Sequence, residues 1–375
     1  MRLSVRKLVV VGAVTLAVGV AAIVTAAAAT STLILTPGQS EQVTCSGNRL
    51  TVGDKATDSL TVNCIGGGTT TTTVPPTTTT STTTPPTTTT STPTTTTTTT
   101  TQPTGGSWWQ PGSGPIEWQW EIDHALSTTS ATDMGTNDKL PNGTTAPAPT
   151  VYDIDGIENP ASTVSALHGL GDKAICYIEV GTAGNYYTAV QEGVATTYYA
   201  QLQAAGDLGS KLSGYPEYFL NINAASTVSI IESMIHQQCA AKGFDAVETD
   251  LDETYSGSDG STGFTETQAG EQTYLTTLAD YMHGLGLAWV AKNLDDTGDN
   301  FATVMEPTAD ATISEQCNQY GTCGALSAFL TGHKAVFNAE YSASTYPGFC
   351  TADDNAGING VLFPQSLNGG RQPCR

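Results

Sequence analysis

Ala246-Val-Glu-Thr-Asp250 is a short run with an apolar start and a carboxylate at its end, and five other segments repeat the pattern. They are Val151-Tyr-Asp-Ile-Asp155, Ile175-Cys-Tyr-Ile-Glu179, Lys292-Asn293, Ile313-Ser-Glu315 and Asn338-Ala-Glu340. Apolar strand bodies with polar C-terminal ends are expected of a TIM barrel, whose strands pack the core while the C-terminal rim gathers reacting side chains from many strands. Eight strand candidates cover residues 118–123, 151–155, 174–180, 218–222, 245–250, 287–293, 311–315 and 335–341, with 360–364 as an optional extra. Helical patterns at 227–242 and 267–284 lie between them, with apolar residues spaced by three and four. Strand and helix alternating over ~250 residues predict an α/β fold, a (β/α)8 TIM barrel, over an open doubly wound sheet. No glycine-rich phosphate loop follows the first strands, which weighs against the open sheet.

Side chains alternate faces along a strand, so parity predicts which rim residues share the barrel interior. Asp153 pairs with Asp155, Tyr177 with Glu179, Glu248 with Asp250, and Asn338 with Glu340; Ile154, Ile178, Val247 and Phe337 would then pack against helices. Carboxylates crowded in a cleft raise one another's pKa, and glycosidases use one ionised and one protonated member of such a pair. A serine triad is poorly supported: there is no GxSxG elbow, and His168, His236, His283 and His333 fall in helix or loop patterns. His124, at a strand end, either lines a substrate site or is a plain loop residue. Paired carboxylates also hold divalent metals, but without histidine partners no metal and no cofactor is expected.

Residues 1–29 have a basic start (Met1-Arg-Leu-Ser-Val-Arg-Lys7), an apolar run from Leu8 to Val24 and small residues at Ala26 to Ala29. This predicts a secretory signal, with an uncleaved membrane anchor as the competing reading. Residues 30–66 read as a small β module stapled by Cys45 and Cys64, and 67–106 as a Thr/Pro-rich linker that cannot form a core. The expected catalytic domain is 107–375. Eight cysteines suit an oxidising compartment: Cys317 with Cys323 would close a short loop and Cys350 with Cys374 would tie down the tail, while Cys176 and Cys239 read equally as buried thiols or as a bridge. No CxxC marks a zinc site. From residue 107 onward, 32 Asp or Glu face eight Lys or Arg, a balance of −24. Such a field repels nucleic acid and anionic membrane and would steer a polycation, although acidity also serves solubility.

Gly243-Phe-Asp-Ala-Val-Glu-Thr-Asp250, Gly263-Phe264, His283-Gly-Leu-Gly-Leu287, Lys292-Asn293, Glu315-Gln-Cys317 and Glu340-Tyr341 come in the order seen in glycoside hydrolase family 114, which the chain resembles over residues 115–365. Trp118-Gln-Trp120, Ile175-Cys-Tyr177 and Leu212-Ser-Gly-Tyr-Pro-Glu217 match its earlier blocks. The resemblance implies a TIM-barrel endo-α-1,4-polygalactosaminidase without cofactor, with Asp250 and Glu315 as the catalytic pair. It implies a cationic polysaccharide partner, for which Asp153, Asp155, Glu179, Glu248 and Glu340 would bind amino groups. Tyr177, Lys292, Asn293, Tyr341 and Trp120 complete the expected substrate-binding set, and Trp118, Trp120 and Tyr177 either stack on sugar faces or pack the barrel interior. The chain departs from the family where Leu251-Asp252-Glu253 follows Asp250, in a longer loop at 255–262, and at Asn221. A non-catalytic carbohydrate-binding protein of the cell surface is the alternative from another class. Secretion and a monomeric state complete the expectations.

Overall fold

The computed structural model describes residues 107–375, together with the backbone of five short strands between Arg6 and Ser46. The chain divides into two compact units, Met1–Thr97 and Thr98–Arg375. The expected linker and the Cys45–Cys64 bridge lie outside the described residues, as does most of the expected signal segment. No helix among the described residues is long and apolar enough to cross a membrane.

The second unit is a curled nine-stranded sheet wrapped in helices, a mixed α/β, TIM-like barrel. Eight strands run parallel in chain order: β1 Trp118–Glu121, β2 Val151–Asp155, β3 Lys173–Glu179, β4 Ala246–Asp250, β5 Ala288–Lys292, β6 Ala311–Glu315, β7 Ala335–Glu340 and β8 Asn359–Leu362. A ninth, Gln372–Pro373, pairs antiparallel to β8. The curl brings the ends of the sheet together: the Trp118 indole N–H donates to Asn359 O at 3.0 Å, and Ile122 N donates to Leu367 O at 3.2 Å. An interior core draws Trp118, Trp120, Val151, Ile175, Ala246, Val290, Ile313, Phe337 and Val361 from the eight parallel strands. Small alanines at Ala246, Ala288, Ala311 and Ala335 leave room for the two indoles and Phe337, the large-against-small packing that a narrow interior demands.

A second, larger core lies between sheet and helices, with Ile154, Ile178 and Val247 on its sheet side. The helix Gln268–Gly284 starts at Thr267, whose hydroxyl accepts Gly270 N at 3.1 Å, satisfying a donor that the helix itself cannot. Tyr274, Leu275, Leu278, Ala279 and Met282 form its buried stripe. The expected helix 227–242 is Ala225–Met234 followed by a π turn, Ile235–Cys239, and a 3-10 turn to Lys242. In the π turn Cys239 meets Cys176 of β3 in a disulfide. Cys317–Cys323 and Cys350–Cys374 are the other two bridges.

Two strand assignments are corrected. The segment expected at 218–222 is no barrel strand, because β3 pairs directly with β4 and leaves no slot between them. Instead Glu217–Leu220 is the middle strand of a separate antiparallel sheet with Thr182–Gly184 and Leu208–Lys211. The optional segment after residue 358 supplies the eighth strand. Parity is also inverted in β7: Ala335, Phe337 and Ala339 face the interior, while Val336 packs on the helix side. A shift of one residue exchanges the faces of a strand, so Glu340 points away from the barrel interior and Tyr341 toward it.

Candidate active site

The C-terminal ends of β4, β5 and β6 carry Asp250, Lys292 and Glu315 on the interior face. Lys292 is 3% exposed and its ammonium lies 2.9 Å from Asp250 Oδ1, 3.2 Å from Glu315 Oε2 and 3.3 Å from Glu248 Oε1. The Trp120 ring centroid is 4.7 Å from the same nitrogen and that of Tyr177 is 5.9 Å away, so two aromatic faces add to the carboxylates. Burial opposes the Lys292 charge, yet Asp250, Glu315 and Glu248 outweigh it and hold its pKa well above the usual lysine range. One ammonium thus organises three carboxylates.

Each catalytic candidate has further donors. Tyr177 OH donates to Asp250 Oδ2 at 2.8 Å. The Asn293 amide grips Glu315 twice, donating to Oε2 at 3.0 Å and accepting the Glu315 backbone N–H at 2.9 Å. Tyr341 OH donates to Glu315 Oε1. The chain turns sharply just past each of the three charged residues: Leu251, Asn293 and Gln316 all have positive φ, 61°, 50° and 60°. Non-glycine residues in that region cost energy and collect at functional sites. The turns after β3 and β4 interlock. Val180 N and Gly181 N both donate to Asp250 O at 3.1 Å, and a Cβ at Gly181 would fall 2.1 Å from Leu251 O.

Beneath Lys292 lies a second pair. Glu248, fully buried, accepts the Trp120 indole N–H at 3.2 Å. Asp153, also fully buried, adjoins Glu248 and neither of its oxygens has another partner. Burial pushes the Glu248 carboxyl up to about 7 against the pull of Lys292, and burial together with the Glu248 charge raises Asp153 well above the usual range. Two carboxyls in contact away from water share a proton. Asp252, likewise buried, accepts the Lys292 backbone N–H at 2.9 Å and the Thr249 hydroxyl at 2.8 Å. It fixes the strand end that presents the lysine.

The expected substrate-binding set therefore separates. Asp250, Glu315, Tyr177, Lys292, Asn293 and Tyr341 converge; Asp155 and Glu179 lie beside them at the ends of β2 and β3. Three expectations are corrected. Trp120 has no exposed surface and offers its face to Lys292 rather than to a sugar. Asp153 and Glu248 are sealed under Lys292 and cannot meet a substrate amine. Glu340, fully buried, accepts Asn318 N at 2.9 Å and the Asn338 amide at 3.3 Å, anchoring the short helix Cys317–Tyr320. Glu217, Tyr186 and Tyr187 went unforeseen as site residues. Tyr186 and Glu217 hydrogen bond at 2.5 Å, and Tyr187 OH donates to Asp155 at 2.7 Å.

Among the described residues one group has converging metal-ligand atoms, Glu121, His124 and Asp133, all within 4.8 Å. The His124 ring already spans the other two, Nδ1 lying 3.2 Å from Glu121 and Nε2 3.4 Å from Asp133. The ring joins the end of β1 to its following loop.

The C-terminal end of this TIM-like barrel thus holds two carboxylates, Asp250 and Glu315, on either side of the Lys292 ammonium. The model of glycoside-hydrolase family GH114 matches residues 98–375, and the chain belongs to that family. Among solved structures it is similar to Ega3 of Aspergillus fumigatus, crystallised with galactosamine, at 26% identity and a TM-score of 0.58, covering 72% of this chain and 98% of that one. The glycoside hydrolase domain of PelA from Pseudomonas aeruginosa matches at 12% identity and a TM-score of 0.46, covering 68% and 97%. No curated protein matches the chain.

Proposed function

We propose that this enzyme is secreted and cleaves internal bonds of a galactosamine-containing, cationic polysaccharide by a retaining mechanism. Lys292 carries the mechanistic part of the reading. Its nitrogen touches Asp250 Oδ1 at 2.9 Å and Glu315 Oε2 at 3.2 Å, so a single ammonium bridges the facing oxygens of the two carboxyl groups, a close pairing that favours the retaining reading. Retaining glycosidases hold their carboxyl groups roughly 5–5.5 Å apart, whereas inverting ones leave about 6.5–9.5 Å for a water. In this reading Asp250 attacks the anomeric carbon to form a glycosyl-enzyme ester while Glu315 gives its proton to the leaving oxygen. Glu315 then takes a proton from water as that water breaks the ester. The curled sheet is taken as a closed (β/α)8 barrel whose last seam is made by the C-terminal segment.

The substrate class is supported by family membership, by the galactosamine bound to Ega3, and by the −24 balance from residue 107 onward. Three disulfides and the signal-like start support export, and the enzyme is taken to act as a monomer. The deciding experiment incubates the protein with de-N-acetylated α-1,4-galactosaminogalactan and follows released oligomers. Wild type is expected to release them with retention at the new anomeric centre. Asp250→Asn and Glu315→Gln should each lose roughly 10²–10⁴-fold or more in kcat. Tight binding without cleavage by wild type would favour the carbohydrate-binding alternative and sink this reading.

A further inference from the structure

Outside the Lys292 cluster, Glu121, His124 and Asp133 gather where β1 ends and its following loop folds back. One ligand atom from each lies within 4.8 Å of the other two. Glu121 is the last residue of β1. Asp133 is brought back to it by Gln119, whose amide donates to Thr132 O at 2.9 Å, Asp133 O at 3.0 Å and Gly369 O at 2.5 Å. The Asp133 carboxylate is aimed by Ser127 N at 2.9 Å and by the Ser130 hydroxyl at 2.6 Å. This is also the seam of the curled sheet, because Glu121 forms an antiparallel bridge with Asn368 beside the Ile122 to Leu367 hydrogen bond.

Glu121 has no exposed surface. Its Oε1 accepts the backbone N–H groups of Asp123 at 3.2 Å and His124 at 3.3 Å and faces His124 Nδ1 at 3.2 Å. Its Oε2 is buried and has no partner. A Cβ at Gly369 would fall 2.8 Å from that oxygen and 2.9 Å from Asp133 Cα, so the unpartnered oxygen is turned to the side where Asp133 stands. A buried carboxylate oxygen is costly unless a donor or a cation meets it.

The geometry and the donor types suit a metal ion. His124 Nε2 is 3.4 Å from Asp133 Oδ2, about the ~3.4 Å edge between two ligands of a tetrahedral ion with bonds of ~2.0–2.1 Å. An ion on that edge needs Glu121 to close in by roughly an ångström to complete a third bond. The His124 side chain is 46% exposed, which gives the ring freedom to turn and the ion a way in. Asp123 Oδ2, 3.8 Å from His124 Nδ1, is within reach as a fourth ligand. One imidazole among carboxylates favours Zn²⁺, whereas Ca²⁺ and Mg²⁺ take shells of oxygen.

We propose that Glu121, His124 and Asp133, with Asp123 or a water in fourth place, form a structural Zn²⁺ site that pins the loop after β1 to the seam of the barrel. The site goes beyond the hydrolytic reading and does not depend on it, since none of these residues belongs to the Lys292 cluster.

The test treats the whole protein with a chelator, removes the chelator and titrates with Zn²⁺ calorimetrically, with Ca²⁺ and Mg²⁺ as parallel arms; circular dichroism follows melting. Wild type is expected to bind one Zn²⁺ with a Kd of about 1 μM or below, at least about a hundredfold more tightly than Ca²⁺ or Mg²⁺. Free Zn²⁺ at about a hundred times Kd should raise the melting temperature by roughly 5 °C. His124→Ala and Asp133→Asn should each weaken Zn²⁺ at least about tenfold and shrink the melting shift. The histidine is half exposed and the asparagine keeps an acceptor for Ser127 N, so both variants should fold, which circular dichroism checks. His168→Ala removes a histidine that faces Asp245 at 2.8 Å and should leave Zn²⁺ binding unchanged. No Zn²⁺ binding, undiminished binding in either folded ligand variant, equal affinity for Ca²⁺ or Mg²⁺, or an equal loss in His168→Ala would each overturn the proposal.

Discussion

Two acidic groups sit side by side, one on the barrel rim and one where the rim meets the separate antiparallel sheet. Around Lys292, Glu248, Asp250 and Glu315 are each within 3.3 Å of an ammonium. Next to them Asp155, Glu179 and Glu217 have hydroxyl and backbone donors but no cation. Every carboxylate of the first group touches the one ammonium, so its geometry is set before any substrate arrives, as catalysis by preorganised charge requires. The second is held by neutral donors alone.

Removing the cation from the first group should have the largest effect. Lys292→Met leaves three carboxylates facing one another in a buried space, and breaking such a pair costs about 3–5 kcal/mol. Glu217→Gln in the second group should change stability by no more than about 1 kcal/mol, because it removes repulsion as well as hydrogen bonds. Urea denaturation of both variants measures the contrast, and equal destabilisation would erase the distinction drawn between the groups.

The proton held below Lys292 gives the next effect. A carboxyl whose folded pKa is raised binds its proton more tightly in the folded state. Its stabilising contribution is full below the unfolded value near 4.5 and is lost as pH rises through about 7 for Glu248. Asp153 shifts in the same direction. The melting temperature should therefore fall between pH 4.5 and pH 8, by roughly 5–10 °C, and Glu248→Gln should flatten that slope. A wild-type melting temperature that rises over this interval would contradict the buried, shared proton.

The smallest effect is expected at Tyr341, one of several donors to Glu315. Tyr341→Phe keeps the ring and removes one hydrogen bond, so kcat should fall by roughly tenfold with KM nearly unmoved. A change confined to KM would move Tyr341 from positioning Glu315 to binding the sugar.

Much of this site is written in one dimension. Strand bodies of Val, Ile and Ala ending in Asp, Lys or Glu placed Asp250, Lys292 and Glu315 together, because a parallel barrel brings all its strand ends to one rim. Glu217 lies within the Leu212–Glu217 block and Tyr186 and Tyr187 are adjacent, but nothing local indicates that the segment after β3 brings Tyr187 to Asp155 and Tyr186 to Glu217. Periodicity failed in β7, where Ala335-Val-Phe-Asn-Ala-Glu340 is apolar on both faces over its first three residues. With no clean alternation, parity was assigned from Glu340, which is buried against Asn318 and Asn338 instead of lining the rim.

By itself, the sequence determined the α/β fold class and the family and put Asp250 and Glu315 at strand ends, since these depend on the types and order of residues there. Only the tertiary structure decided what each charge faces. Trp120 lies under a lysine, Asp153 and Glu248 are buried side by side beneath it, and Asp155, Glu179 and Glu217 are left without a cation. The physical reason is that electrostatic roles depend on distance and burial among residues far apart in the chain, such as Glu248, Lys292 and Glu315, and these are properties of packing rather than of any local pattern.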